Sequence, residues 1–170
     1  MDGGENARTL YLSLGSNAGD REGNIRKAVA LLEQRWNVPC KALSELTETE
    51  PWGRWKGTPN PFLNAAAAFE LPICPSAENA LRLLADCKEV ERKLGREEDV
   101  MEYDSDGERI YHPRTLDLDI LLWGDWRMDT PQLQIPHPRM FEREFVIAPL
   151  AQIADIRKIL TNFADSPRRR

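Results

Sequence analysis

Asp117 and Asp119 stand two residues apart in Pro113-Arg114-Thr115-Leu116-Asp117-Leu118-Asp119-Ile120-Leu121, with an arginine just upstream. In an extended chain, residues two apart share a face. Leu116, Leu118, Ile120 and Leu122 are therefore expected on a core face, with both carboxylates together on the other. Adjacent carboxylates repel until a proton or a cation neutralises them. Oxygen-only donors suit Mg²⁺, which takes one or two carboxylates plus substrate phosphates. Arg114 would offset charge developing on a transferring phosphoryl group. A strand that simply carries two solvated acids has the same pattern, and on this motif alone the two readings stand level.

Other phosphate-binding signals are of a different kind. The chain has no G-x-x-x-x-G-K-[ST] and no G-x-G-x-x-G after a strand, so any nucleotide must be held by side chains and loop backbone. Pro136–Phe145 brings His137, Arg143 and Phe145 near one turn. Imidazole and guanidinium can donate to phosphate, and an aromatic can stack on a flat heterocycle. A structured loop with solvated arginines is the plainer account of that stretch. His112 lies far from His137 and, like it, sits beside proline.

Strands and helices must position these residues. Leu10, Leu12 and Leu14 alternate with Tyr11 and Ser13, which predicts a strand over Thr9–Ser16. Asn17 or Asp20 could cap a helix over Arg21–Trp36, whose Ile25, Ala28, Val29, Leu32 and Trp36 fall on one face. Pro39–Thr49 reads as a strand and Phe62–Leu71 as another. Between them, Glu50–Pro61 holds three prolines, two glycines and two tryptophans and reads as a loop. A helix is predicted over Pro75–Leu94, capped by Ser76 and stopped by Gly95. A strand over Leu116–Trp123, an extended run from Pro131 to Pro138 and a short helix over Phe145–Ile153 complete the pattern. The order strand, helix, strand, strand, helix, strand implies an α+β sandwich with helices packed on a largely antiparallel sheet.

Composition bounds the rest. At 170 residues, 41% hydrophobic and 30% charged, the chain is expected to form one domain, residues 1–170, with its core at about 9–155 and with 1–8 and 161–170 frayed. The longest apolar run, around Ala65–Leu71, is strand-sized, so no membrane association is expected. The N-terminus lacks a secretory layout, which makes the cytoplasm the default location. Cys40, Cys74 and Cys87 form no C-x-x-C pair and are expected as buried apolar residues. A net charge of −5 argues against nucleic acid as a partner. Residues 97–108 hold seven acids and no base, and without them 21 acids face 23 bases.

Taken together, these blocks resemble the 6-hydroxymethyl-7,8-dihydropterin pyrophosphokinase family. Leu12–Asn17 with Gly19-Asp20-Arg21 is similar to its opening strand and turn. Thr49-Glu50-Pro51-Trp52-Gly53 and Phe62-Leu63-Asn64-Ala65-Ala66 resemble its substrate loop and next strand. Glu91 with Leu94-Gly95-Arg96 is similar to the end of its long helix, Pro113–Leu121 to its signature and Ile135–Leu150 to its late nucleotide-binding stretch. The resemblance implies a ferredoxin-like sandwich, acting as a monomer, that moves pyrophosphate from ATP to the hydroxymethyl oxygen of the dihydropterin and releases AMP. It implies that Asp117 and Asp119 hold two Mg²⁺ ions and that Arg96 and Arg114 contact phosphate oxygens. Lys88, Glu91, Arg114, Ile120, Gln134, His137 and Arg143 would hold ATP. Thr49, Glu50, Pro51, Trp52, Phe62, Asn64, Tyr111 and Phe145 would hold the pterin.

This chain departs from the family's pattern at Glu50, Tyr111, His112 and Gln132, and its loop before the signature is longer and more acidic. If that loop closed over a triphosphate, its acids would meet like charge. Two such charges about 4 Å apart repel by roughly 4 kcal/mol at an effective dielectric of ~20. Glu97–Glu108 is therefore expected either to swing outward as a solvated flap, with Arg96, Arg109 and Arg114 left near the site, or to be a disordered insert with no role. A metal-dependent phosphohydrolase using the same Asp pair, or a non-enzymatic ligand-binding module, are the rival readings.

Overall fold

In the computed structural model, which describes residues 7–98 and 101–164, the alternating leucines of the first strand are fully buried. This strand, β1 (Thr9–Ser16), leads into helix α1 (Arg21–Trp36). The cap of α1 is Asp20, whose Oδ1 accepts the Gly23 N–H at 3.0 Å. Asn17, the other candidate cap, is fully buried and turned toward the site.

The strand expected over Pro39–Thr49 is two strands, β2 (Cys40–Leu43) and β3 (Thr47–Thr49). The break falls at Ser44, whose Oγ accepts the Ala66 N–H at 2.8 Å in place of a ladder carbonyl. The Pro- and Gly-rich loop contains a two-residue strand, β4 (Arg54–Trp55), before β5 (Phe62–Glu70). Helix α2 (Ala77–Lys93) is capped by Ser76, as expected, and ends before Gly95 at φ +86°. A cap of this kind contributes about 1 kcal/mol. The short strands β6 (Glu102–Tyr103) and β7 (Arg109–Tyr111) precede β8 (Asp117–Trp123). Then come β9 (Met128–Asp129), β10 (Gln134–Ile135), a 3₁₀ turn at Met140–Glu142, α3 (Glu144–Ile153) and α4 (Ile156–Ala164).

The main sheet runs β2-β5-β1-β8 with β3 also on β5, and all of its pairings are antiparallel. Strand-helix-strand-strand-helix-strand in this order is the ferredoxin-like arrangement. Helices α1 and α2 cover one face, over a core that includes Leu10, Leu12, Leu14, Leu118 and Ile120. Helix α3 covers part of the other face, packing its Val146 and Leu150 on Ala66, Leu121 and Leu122. Each fully buried large side chain contributes about 1.5–3 kcal/mol.

Two expectations about this packing fail for identifiable reasons. Leu122 does not share a face with Leu118 and Ile120. The register against β1 slips between Tyr11 and Leu12, so the pairing steps from Ile120 to Leu122 and Leu121 is the extra residue of a bulge. An extra residue inverts the alternation, and Leu122 joins the α3 side instead. The tail does not fray from Thr161: α4 continues to Ala164, with Ile156, Ile159 and Phe163 packed on the second cluster. The Arg127 guanidinium lies 4.6 Å from the Phe163 ring centre and bonds Asn162 O at 3.2 Å. Arg8 is likewise pinned, its carbonyl accepting from Leu71 N and from Trp123 Nε1. The fraying expected for 1–6 and 165–170, and the acid at Asp99, lie outside the described residues. Of the cysteines, Cys87 is buried as expected, but Cys74 is exposed.

Candidate active site

Pairing across three strands builds the centre of the site. Gly15 on β1 lies opposite Asn64 on β5 and opposite Asp117 on β8, which puts the three in one row. Neighbouring strands are about 4.8 Å apart, so the amide and the carboxylate face each other across one glycine. A Cβ on Gly15 would stand 3.5 Å from Asn64 Oδ1, 3.6 Å from Phe62 Cδ1 and 4.0 Å from Asp117 Cβ. Gly15 is thus a bare floor between two chemically different walls. Its role could not be read from Leu14-Gly15-Ser16, where it looked like the end of a strand.

The phosphate-type wall is built from Asp117, Asp119 and their neighbours. Asp119 is exposed, whereas Asp117 is half-buried between two arginines. Arg96 Nη1 donates to Asp117 Oδ1 at 2.6 Å, and Arg114 Nη1 lies 3.2 and 3.1 Å from its two oxygens. Burial pushes the Asp117 carboxyl up, and Arg114 and then Arg96 pull it back. Arg96 also bonds Glu91, which is only 2% exposed, and Lys88 Nζ lies 3.5 Å from Glu91 Oε1. Burial raises the Glu91 carboxyl too, against Arg96 and Lys88. Asn17 braces the arginine: its Oδ1 accepts the Arg114 N–H at 2.7 Å, and its own N–H donates to Arg114 O at 3.0 Å.

His137 and Arg143 join this wall from the turn before α3, and Phe145 follows in the first turn of that helix. The His137 N–H donates to Leu121 O at 2.8 Å. Its ring Nδ1 accepts from the Arg139 N–H at 3.2 Å, so in the neutral ring the proton sits on Nε2 and is available to donate. Burial holds this imidazole below its usual range; Asp119 opposes that, while Arg143 and Arg139 add to it. The Arg143 guanidinium lies 5.6 Å from the centre of the Phe145 ring. Ile120 points into the core, so it can offer a ligand only its backbone. Gln134 is exposed and bonds Asp129 Oδ1 at 2.9 Å. A cavity of about 250 Å³ is lined by Arg96, Arg109, His112 and Arg114, among others.

The aromatic wall lies on the Asn64 side. Asn64 Nδ2 donates to Thr49 Oγ1 at 2.7 Å and to Thr47 O at 3.4 Å. Both amide hydrogens are engaged within the protein, which leaves the Asn64 Oδ1 as the acceptor it can offer a ligand. Trp55, which no motif singled out, links the candidate rings: it lies 5.6 Å from Phe62 and 5.5 Å from Tyr111. Trp52, 77% exposed, lies 6.4 Å from Tyr111 at the rim, next to half-buried Pro51 and exposed Glu50.

The acidic stretch is largely exposed, and Arg96, Arg109 and Arg114 line one cavity as expected, but its hairpin half is docked and does not swing free. Among the described residues, Asp104, Asp106 and Glu108 gather on Arg54, while Glu102 meets Lys56 and His112. Repulsion keeps acids off a triphosphate, but Arg54 and Lys56 in the Trp52–Lys56 stretch also attract them and hold the hairpin in place.

Two carboxylates flanked by arginines, across a glycine from an aromatic wall on a ferredoxin-like sheet, have the make-up of a phosphoryl-transfer enzyme that also reads a flat heterocycle. Residues 11–155 match the family described as 7,8-dihydro-6-hydroxymethylpterin-pyrophosphokinase (HPPK), and the chain belongs to that family. It is 42% identical over 143 residues to the 2-amino-4-hydroxy-6-hydroxymethyldihydropteridine pyrophosphokinase of Bacillus subtilis, covering 84% of this chain and 76% of the relative. Its identity to the protein of that name from Porphyromonas gingivalis is 39% over 146 residues, covering 85% and 90%. It is also 40% identical over 145 residues to the mitochondrial folate synthesis bifunctional protein of Arabidopsis thaliana, covering 85% of this chain and 23% of that one.

Proposed function

We propose that this chain transfers the pyrophosphoryl group of ATP to the hydroxymethyl oxygen of 6-hydroxymethyl-7,8-dihydropterin, releasing AMP, as a step of folate biosynthesis. The observation that carries this reading is the row Asn64–Gly15–Asp117, which sets a heterocycle wall and a phosphate wall one glycine apart.

The acceptor oxygen attacks the β-phosphorus of ATP, and the bond from that phosphorus to the α–β bridging oxygen breaks. AMP leaves with the bridging oxygen, and the hydroxyl proton is lost to water. Asp117 and Asp119 fit Mg²⁺, because two oxygen donors on one face leave the remaining positions for phosphates and water. Bound there, Mg²⁺ would neutralise phosphate charge. Arg96 and Arg114, which lie on Asp117, are placed to turn to phosphate oxygens, and Arg143 and His137 Nε2–H add donors. Such preorganised groups act where charge develops. Phe145, whose ring is partly exposed, offers a face to the pterin together with Phe62, Trp55 and Tyr111, and the Asn64 Oδ1 accepts from its N–H edge. Both walls come from one chain, so a monomer suffices, acting as a single domain. Among the described residues, no helix is long and apolar enough to cross a membrane, in keeping with action in the cytoplasm.

The test is AMP formation from ATP, with and without Mg²⁺ and with and without the dihydropterin. AMP should form only when both are present. ATP consumption without the pterin would replace this reading with that of a phosphohydrolase.

A further inference from the structure

The acidic hairpin and the tryptophan loop are joined at a small sheet that is separate from the main one. Strand β4 pairs in parallel with β7, setting Arg54 opposite Ile110 and Trp55 opposite Tyr111, and β6 pairs with the other edge of β7. Lys56 N–H donates to Tyr111 O at 2.9 Å. Gly53, at φ +91°, lies so close to the Tyr111 ring that a Cβ there would stand 2.9 Å from its Cε2. A two-residue ladder is too short to hold two loops together by itself.

Side chains supply the rest of the joint. Arg54 Nη1 bonds Asp104, its Nε lies 3.0 Å from Glu108 Oε2, and Asp106 stands 3.8 Å away. Asp104 is preset for this contact: its side chain is only 15% exposed, and its Oδ1 accepts the N–H groups of Asp106 and Glu108 at 2.9 Å each. Without the guanidinium, three carboxylates would crowd one spot and push the hairpin off the loop. A single exposed ion pair stabilises little, but a network that converges on one arginine has more effect.

We infer that Arg54 is a positioning residue. By holding Asp104, Asp106 and Glu108, it docks the acidic hairpin on the tryptophan loop and so keeps Tyr111 against Trp55 in the aromatic wall. Arg54 is not one of the side chains assigned above to either reactant. The link to pterin binding rests on the function proposed above; the docking itself does not.

Arg54→Gln and Arg54→Lys test it. Hydrogen exchange on the ligand-free protein should show amides of residues 54–56 and 109–111 exchanging about tenfold faster in Arg54→Gln, with β1 and β5 unchanged. Arg54→Lys should restore most of the protection, and raising the salt should move the wild type toward Arg54→Gln. In turnover, KM for the dihydropterin should rise about tenfold while kcat stays within about twofold. Unchanged exchange in Arg54→Gln would overturn the inference. So would a fall in kcat at constant KM, which would mark a group acting on the reacting phosphates. If the wild type makes no AMP from the pterin, the proposed function fails, and the exchange result still decides the docking.

Discussion

Asp117 and Asp119 look equivalent as letters but occupy different surroundings, and their substitutions should separate accordingly. Asp119 is exposed, so Asp119→Ala should leave the melting temperature unchanged while lowering kcat by on the order of 10² to 10³, the range for one preorganised electrostatic group. Asp117→Ala should lose as much activity and also lower stability by about 1.5–3 kcal/mol, because Arg96 and Arg114 lose a charge-assisted partner. Thermal melts and steady-state rates on both variants check this, and equal melts would contradict it. Glu91→Gln leads to an opposite expectation, because, unlike an alanine at 117, the amide keeps an uncharged acceptor for Arg96 while removing the buried charge. The Glu91 carboxyl is raised by burial, so its contribution to stability is fully present below the ordinary glutamate range and is lost as pH rises through the folded value. At pH 8 the charged form is therefore a cost, and Glu91→Gln should melt higher than the wild type. The difference should vanish below about pH 4, where both side chains are neutral. The same variant should be a poorer enzyme, because Arg96 loses its charged anchor. A lower melting temperature at pH 8 would show that the pairing with Arg96 outweighs burial. The Asp pair and Arg114 were legible in the sequence because strand periodicity alone puts two carboxylates on one face. The brace from Asn17 to Arg114 was not, since it joins residues that only the β1–β8 pairing brings together.

At the scale of elements, the strands and long helices could be read because their periodicity is local. The main features that were missed depend on partners elsewhere in the chain. The Leu121 bulge is a mismatch between two strands and leaves no mark on either one alone. Helix α4 was hidden because its Ile156, Ile159 and Phe163 stripe became a signal only once the second sheet face needed a cover. The Gly15 floor belongs to this class and leads to a prediction. The methyl of Gly15→Ala would meet Asn64, Phe62 and Asp117 at ordinary contact distances, so nothing in the fold has to move. Replacing glycine in a strand also restricts the unfolded chain, which stabilises by about 0.4–1 kcal/mol where the backbone permits. Gly15→Ala should therefore melt at or slightly above the wild type. Its methyl would nevertheless fill the gap between the two walls, and dihydropterin affinity should fall about tenfold or more, a modest steric loss for a closely fitted ligand. Calorimetric titration with the pterin would show this. Unchanged affinity would mean that the ligand does not cross that floor.

At the scale of the whole molecule, the two walls are mechanically connected. Arg114, which lies on Asp117, is followed back along the chain by Pro113, His112 and Tyr111, and Tyr111 packs against Trp55 and Trp52. In the ligand-free protein, Arg96 and Arg114 neutralise Asp117. A triphosphate arriving with its cation would compete for both sides of that arrangement, drawing the arginines to phosphate and the carboxylate to metal. Moving Arg114 pulls on the segment that carries Tyr111, so the aromatic wall should adjust when nucleotide binds. The expected result is tighter dihydropterin binding in the presence of Mg²⁺ and a non-hydrolysable ATP analogue. Couplings of this kind are typically about 1–3 kcal/mol, or roughly 5- to 150-fold. Calorimetry can measure pterin affinity with and without the analogue. Linkage adds an internal check, because the pterin must tighten the analogue by the same factor. If Arg114 carries the coupling, Arg114→Ala should bring that factor close to one while the pterin still binds the aromatic wall in the absence of nucleotide. Equal pterin affinity in both titrations of the wild type would mean that the two walls bind their ligands independently, and the path through residues 111–114 would then have no functional part.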